Sequence, residues 1–512
     1  MPTEETLAVP RPSRPVDPSP VREPRRPRIT PYLAVGTLAW LLLTLAAWRI
    51  PMCCDFGQHA AVVERLKADL LDPSHPMADL PGAGSPYYSP YALLQGAAAR
   101  LTDLPGWFVV RLSAPVNLLV LLTGLGRFTR TLTPRPWAPV AALVLMVLLW
   151  GTEMMWWSGF TGLMSLTGHL GYPSTFALGL TLHLWASTAR AAGDGTGPWA
   201  YAGVGLLGGL TILVHPITSL GAAVGVVSLI VGHRAVRRPG WLVSLGAALL
   251  VAVCWPYFHV WELVGDSGVD AIHKALWTKL PEAVCLALVG VPVLAARWRR
   301  DRRDPLVLLF VLSCLVVAYG WASGHHTYGR LIGTALLAPQ LALAVELTRP
   351  RPWPFARAVL AAVTAAAVGW SFLTVQGGAV VPRALDPVGL DQPPRWEEYH
   401  WAARHLRPGD VVLTNGYRAV RSLPGHGANL VAPVWPDPAL DERERRVRRD
   451  AVRAYLAPDS TPAGRLAVAR RYQVRWVLLG PRQRMPPEAV VVAGGPRSGE
   501  LLARVPGVTR SR

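Results

Sequence analysis

The stretch CCDFGQH, residues 53–59, sets Asp55, Gln58 and His59 just past an apolar run that ends at Ile50. An acid, an amide and an imidazole so close together can accept protons, donate them and hold polar ligands. The pattern also has a structural reading. Asp55 with Gln58 three residues on is a capping box for a helix over FGQHAAVVERLKADLL, and the two readings are compatible. Further reactive side chains follow at long intervals. Tyr88 lies in GSPYYSPYALLQG, and Glu153, Trp156, Trp157 and His169 lie in GTEMMWWSGFTGLMSLTGHLGYPS. His215 lies in VHPIT, Asp270 and His273 in VDAIHK, and His325, His326, Tyr328 and Arg330 in GHHTYGR. Each alone has an ordinary explanation. His59 suits the surface of an amphipathic helix, and the tryptophans suit a membrane interface. What groups them is their position relative to the elements between them.

Those elements are apolar. The chain has 512 residues, 51% of them hydrophobic, and a positive mean hydropathy of +0.28. Apolar runs recur near 32–50, 107–126, 137–151, 173–189, 199–214, 217–232, 241–261, 281–296, 305–321, 331–347 and 356–375. A membrane helix needs roughly 20 residues, so the pattern predicts an α-helical polytopic membrane protein with about eleven spans. Its membrane part covers 31–375 and includes a long first outer loop, 51–105. Pro86 and Pro90 prevent one continuous helix through that loop.

The net charge of +19 is a topology signal. Arginines follow the second, sixth, eighth and tenth runs (Arg127 and Arg130; Arg234, Arg237 and Arg238; Arg297 to Arg303; Arg349 and Arg351), and more fill the first thirty residues. Basic residues on alternate loops mark the cytoplasmic side. No nucleic acid is implied. The N-terminus is then cytoplasmic, and the Pro/Arg-rich tail 1–30 reads as disordered. The acids, histidines and aromatics named above all fall in loops on the other side. A one-sided polar constellation suits a site at the outer interface better than a path through the middle.

From 376 to 512 the composition changes. RWEEYHWAARHL, DERERRVRRDAVRAYL and PAGRLAVARRY read as helices, DVVLT and VRWVLL as strands, and AVVVAGG with ELLARV as a hairpin. This is a small α/β domain, extracytoplasmic by the span count. It carries no Gly-rich phosphate loop, serine elbow or metal-spaced Cys/His pattern, and reads as a lid or acceptor-recognition element. Of five cysteines, Cys254, Cys285 and Cys314 fall in apolar runs, while Cys53 and Cys54 are adjacent and outside. A vicinal disulfide there would be strained.

Taken together, CCDFGQH after the first run, ILVHPITSL, YGRLIGTALLAPQLAL and the C-terminal segments GDVVLTN and RRYQVRWVLLG resemble the GT-C class of integral-membrane glycosyltransferases. The resemblance covers most of the chain from about Pro31. It implies transfer of a sugar from a polyprenyl-phosphate donor to an envelope glycan, lipid or protein acceptor on the outer face of the cell membrane. It implies further that Asp55 is the catalytic acid of the first loop, as base or as ligand of a divalent cation. Arg330 then stands near the donor phosphate, and Gln58, His59, Tyr88, Glu153, His169, His215, His325, His326 and Tyr328 are candidates for the substrate pocket. Two rival classes are a transporter or flippase of lipid-linked precursors and a non-catalytic membrane scaffold. No inverted repeat or set of midplane acids favours the transporter.

Overall fold

The computed structural model describes residues 29–51, 53–80, 84–194, 197–263, 269–350, 352, 354–434 and 440–506. The predicted disorder of the N-terminal tail falls almost wholly outside these residues. Local chemistry sets the helix starts. Helix α1 (Pro31–Arg49) begins with Thr30 accepting from the Leu33 N–H and with a proline in its first turn, where a missing N–H costs nothing. The next two, α2 (Phe56–Ala68) and α3 (Pro90–Thr102), form the first loop, and Ser89 caps α3 ahead of Pro90. Then follow α4 (Gly106–Leu132), α5 (Ala138–Leu148), the short α6 (Leu163–Gly168), α7 (Pro173–Asp194), α8 (Pro198–Val214), α9 (Pro216–Gly232) and α10 (Gly240–Val253).

Helices α8 and α9 are separated by one residue. His215 ends the first and caps the second, its ring accepting from the Thr218 N–H, and Pro216 cannot continue the α8 hydrogen-bond ladder. Beyond α10 come the four-residue α11 (Asp270–His273), α12 (Leu280–Val284), α13 (Val291–Arg300), α14 (Pro305–Ser323), α15 (Ile332–Leu347) and α16 (Phe355–Ser371).

Every predicted apolar run contains helix. Among the described residues, six helical segments are long and apolar enough to cross a membrane: Pro31–Arg49, Gly106–Leu132, Leu280–Arg300, Pro305–Ser323, His326–Leu347 and Phe355–Ala379. Four others, 138–148, 198–214, 216–232 and 240–253, are shorter. The run 241–261 stops at Val253, ahead of Pro256. The run 281–296 breaks into α12, a 3-10 turn and α13, with prolines in the first turn of each helix.

Leu118, Leu121, Leu125, Phe128, Leu182, Trp185, Leu341 and Leu343 fill the common core of the bundle. Leu41, Leu242, Leu245, Leu250 and Trp370 face outward and exposed, as lipid contact requires. At Gly124 a side chain would reach the Gly179 carbonyl at 2.8 Å, so α4 and α7 meet backbone to backbone.

The C-terminal part is a five-stranded sheet of β1 (Val411–Leu413), β2 (Asn429–Leu430), β3 (Val474–Leu479), β4 (Val490–Gly494) and β5 (Leu501–Arg504), in the order β2-β1-β3-β5-β4. Strand β1 runs parallel to β2 and β3; β5 is antiparallel to β3 and β4. Val412, Leu430, Trp476, Leu478 and Leu502 point to one face, and Val411, Leu413, Val477 and Leu479 to the other. Both faces are covered, which explains the apolar run 476–479 that ends β3. Around the sheet lie α17 (His400–Ala403), α18 (Ala419–Ser422), α19 (Glu442–Leu456) and α20 (Pro462–Arg471).

The helix read in RWEEYHWAARHL shrinks to the four residues of α17. Tyr399, buried and hydrogen-bonded to Glu500, and Trp401 are drawn into the sheet's core, and that packing overrides the helical pattern.

The sheet unit is fastened to the first loop. A Cβ on Gly57 in α2 would lie 2.0 Å from the Arg421 carbonyl, and one on Gly425 would lie 2.9 Å from the Gly57 Cα, so only glycines allow this approach. The Leu430 N–H donates to the Met77 carbonyl at 2.7 Å, and Arg65 donates to Asn429 at 2.5 Å. A column of rings completes the joint: Trp107 of α4 stands 5.2 Å from His400, which stands 4.9 Å from His426.

Burial, and then His400, push the His426 ring down to about 4. A histidine whose folded pKa lies below its unfolded value leaves stability untouched above about pH 6.5 and removes it as the pH falls toward 4. The loss amounts to about 2–3 kcal/mol, less what solvent screens at a half-buried ring. Thermal unfolding followed from pH 7.5 to 4.5 will therefore show a steeper acid loss in the wild type than in His426→Gln. Identical slopes would mean that His426 is already charged in the folded joint.

Candidate active site

A cavity of about 550 Å³ lies where α2, α3, the 151–174 segment, the α8–α9 break, α11 and the start of α15 meet the sheet unit. Cys54, with φ at 55°, turns the chain in the left-handed region between α1 and α2. It delivers Asp55 to the cavity wall. The capping box does not form. Asp55 stands at the N-cap of α2, yet its carboxylate makes no cap hydrogen bond, and the buried Gln58 amide nitrogen has no partner. Burial, with Cys54 second, pushes the Asp55 carboxyl up to about 6, while His169, Arg330 and Arg421 pull it back.

The positive groups come from distant parts of the chain. Arg330 sits in the 3-10 turn His326–Leu331 that leads into α15. Its guanidinium bonds the Ser158 carbonyl and, at 2.9 Å, the Ser158 hydroxyl, with the Trp157 ring 5.6 Å away. Arg421 comes from α18 of the sheet unit and lies 3.8 Å over the Tyr417 ring. Among the described lining residues Asp55 is the only carboxylate. A hard divalent cation takes several oxygens, so this wall alone does not build a magnesium or calcium cage.

The histidines are held in set tautomers by their partners. The Ser165 carbonyl can only accept, so His169 carries its proton on Nδ1 and leaves Nε2 as an acceptor. His215 Nδ1 accepts from the Thr218 N–H, so its Nε2 is the donor. The Thr327 hydroxyl donates to Asp270 at 2.5 Å and so receives the Nδ1–H of His273 at 3.0 Å. Burial pushes both His59 and His273 down to about 3, so each is a neutral hydrogen-bonding group at physiological pH. Tyr87, Tyr91, Trp156, Trp157, Tyr172, Trp396 and Tyr417 supply the aromatic remainder of the wall.

Of the eleven residues named as catalytic, phosphate-binding or pocket candidates, Asp55, His59, His169, His215 and Arg330 share this cavity. The others stand elsewhere. Gln58 is buried in the first turn of α2, and Tyr88 is buried with its hydroxyl on the Ser74 carbonyl. Glu153 pairs with Lys279 at 2.9 Å. His325 pairs with Asp270 at 3.1 Å, Tyr328 packs on Tyr319 and His325, and His326 lies between Trp277 and Trp321. The cavity adds His273, Gln95, Trp396, Tyr417, Arg421 and Cys54. The outer loop containing His273 was legible, but nothing in the sequence near Arg421 points inward. A second hollow, about 610 Å³ along α7 and α8, is shallow and has Arg190 as its one charged residue.

No family model and no curated protein matches the sequence. Solved structures do. The arabinofuranosyltransferase AftD from Mycobacteria superposes with a TM-score of 0.55 at 16% identity, over 93% of this chain and 40% of that one. ArnT from Cupriavidus metallidurans, in a structure bound to undecaprenyl phosphate, superposes with a TM-score of 0.52 at 14% identity, over 94% of this chain and 98% of that one. The chain thus spans 40% of the length of AftD and nearly all of ArnT. At these identities what is shared is architecture: the chain is built on the GT-C fold of integral-membrane glycosyltransferases.

Proposed function

We propose that this protein moves a sugar from a polyprenyl-phosphate donor to an acceptor hydroxyl at the outer face of the membrane. The observation that carries the reading is the cavity itself. One carboxylate and two guanidinium groups share its wall, between membrane helices and a docked sheet unit. Transfer breaks the bond from the anomeric carbon to the phosphate oxygen and forms one to the acceptor oxygen. Charge grows at the leaving phosphate and a proton leaves the acceptor hydroxyl. Asp55, ionised at neutral pH yet more basic than an exposed aspartate, takes that proton. Arg330, its guanidinium anchored on Ser158, and Arg421, anchored on the Tyr417 carbonyl at 2.8 Å, face the phosphate. Neutral His59, His215 and His273 bond sugar hydroxyls without competing for the phosphate charge. The tyrosine and tryptophan faces supply apolar contact.

The undecaprenyl phosphate held by ArnT supports a lipid-phosphate donor. The bilayer is the second partner, and an envelope glycan, lipid or protein is the acceptor. The arginine-rich loops support a cytoplasmic N-terminus and an extracytoplasmic sheet unit. A reporter fused after Arg512 will then register outside the cytoplasm and one between Arg299 and Asp304 inside. Both on the same side would overturn the orientation.

The direct test reconstitutes the full chain in liposomes with polyprenyl-phosphate sugars and follows release of polyprenyl phosphate. Two substitutions sharpen it. Asp55→Asn removes a half-buried charge that makes no cap hydrogen bond. A carboxyl with a raised folded pKa costs stability progressively as the pH rises from about 4 to about 6, and in full above that, so at pH 8 the variant melts no lower than wild type. Its turnover falls by about a hundredfold or more, since an amide cannot take the proton. Retention of most of the activity would remove Asp55 from the chemistry.

Arg330→Lys keeps the charge and loses the planar fork. Charge-assisted hydrogen bonds contribute about 1.5–3 kcal/mol, so kcat/KM for the donor drops by roughly ten- to a hundredfold with the fold intact. Unchanged donor kinetics would leave Arg330 an interfacial anchor.

A further inference from the structure

Beside Asp55 the fold brings the adjacent Cys53 and Cys54 together with His169, more than a hundred positions further along the chain. The Cys53 and Cys54 sulfurs are 3.2 Å apart, and with a His169 ring nitrogen they form a group whose ligand atoms all lie within 4.8 Å of one another. Neighbouring side chains on an extended chain point opposite ways. Here the left-handed backbone at Cys54 brings both sulfurs to one side. We propose that Cys53, Cys54 and His169 form a binding site for one thiophilic metal ion, of which zinc is the type, with its fourth position open to the cavity.

Three further observations support the site. Tetrahedral zinc with bonds of about 2.3 Å to sulfur and about 2.0 Å to nitrogen sets sulfurs roughly 3.7 Å apart. The thiols need only part by about half an ångström, and the imidazole close in, to reach that geometry. The His169 Nδ1–H is spent on the Ser165 carbonyl at 2.7 Å, leaving Nε2 as the free nitrogen. A backbone carbonyl on the far ring nitrogen is the usual outer-shell arrangement of a metal-binding histidine. The Trp156 indole stands 5.2 Å from the His169 ring, and its buried N–H has no hydrogen-bond partner among the described residues. A metal-bound thiolate would give that buried donor an acceptor.

The donor set decides the class of ion. Two thiolates and an imidazole select zinc over magnesium or calcium, which want oxygen. Binding converts two thiols to thiolates and releases two protons. Cys53 is buried, whereas Cys54 and His169 line the cavity. The three protein ligands therefore leave the open position on the cavity side, where an oxygen of the donor phosphate, the acceptor or water completes the shell. Catalytic use of that position rests on the glycosyl-transfer reading; occupancy of the site does not.

The test measures binding without measuring transfer. The detergent-purified full chain is stripped with EDTA and titrated with zinc chloride, then in parallel with cobalt(II), whose thiolate complexes show charge-transfer absorption. One ion per chain is expected, together with thiolate–cobalt absorption. A Cys254→Ser/Cys285→Ser/Cys314→Ser chain, whose only sulfhydryls are Cys53 and Cys54, is expected to keep both. In Cys53→Ser/Cys54→Ser and in His169→Gln, zinc affinity should fall by about tenfold or more while elution and melting behaviour hold. Zinc retained by the double serine variant would overturn the site. So would a Cys53–Cys54-only chain that gives no thiolate–cobalt absorption, or whose mass is two hydrogens short of the dithiol. That last chain decides the matter even if the serine variants fail to fold.

Discussion

A carboxylate held away from water is costly unless something of opposite charge faces it, and much of this structure is arranged around that cost at Asp55. The compensating charges are not local. Arg330 arrives 275 positions later, at the mouth of α15, and Arg421 arrives on the sheet unit. Neither touches Asp55 directly; both act on it through space. The gap between acid and guanidinium groups is the useful feature. A closed ion pair would fill the cavity and spend the charge, whereas separated charges leave a volume in which a dipolar reacting group completes the balance. The carboxyl sits near 6, neither fully relieved nor fully penalised, which is the condition of a group waiting for a partner.

The backbone enforces that separation. His215 and Pro216 stop α8 and start α9 at the depth of the cavity, so an imidazole replaces a turn of helix there. Gly57 and Gly425 let the sheet unit approach α2 at backbone distance, which fixes where Arg421 can stand. Were that joint held only by side chains, the position of the second arginine would vary with every rotamer. A backbone contact is stiffer. The ring column from Trp107 to His426 then ties the same joint to a membrane helix.

How much of this the sequence disclosed follows from the range of each interaction. Apolar runs, proline punctuation and strand alternation are local, so each of the eleven runs contains helix, two of them cut short or broken, and the C-terminal hairpin appears where it was read. The short spans near 138–148 and 240–253 are legible as helix, but crossing a bilayer is a property of packing that length leaves open. Side-of-membrane reasoning grouped the loops, and five of the eleven named site residues meet. It could not say which way each side chain turns. His325 and His326 share a loop with Arg330, yet the 3-10 turn sends the arginine inward and the histidines to Asp270 and the tryptophans. Arg421 was invisible because the carboxylate it acts on lies hundreds of residues away, and the helix written in RWEEYHWAARHL lost to the burial of Tyr399 and Trp401. The Cys53–Cys54–His169 group was hidden for the same reason, since no Cys/His spacing motif joins positions 54 and 169.

The two assemblies at the first-loop turn also fit one another electrostatically. A zinc ion on two thiolates and a neutral imidazole carries no net charge, so filling that site leaves the balance of Asp55 with Arg330 and Arg421 unaltered. A cation bound by Asp55 itself would do the opposite, neutralising the proposed base and repelling the arginines. A soft ion one residue away can polarise an oxygen through its open position while the carboxylate stays free to take a proton. The left-handed turn at Cys54 is what allows both. It brings the two sulfurs together and starts α2 so that Cys54 and Asp55, the next residue, both reach the cavity wall.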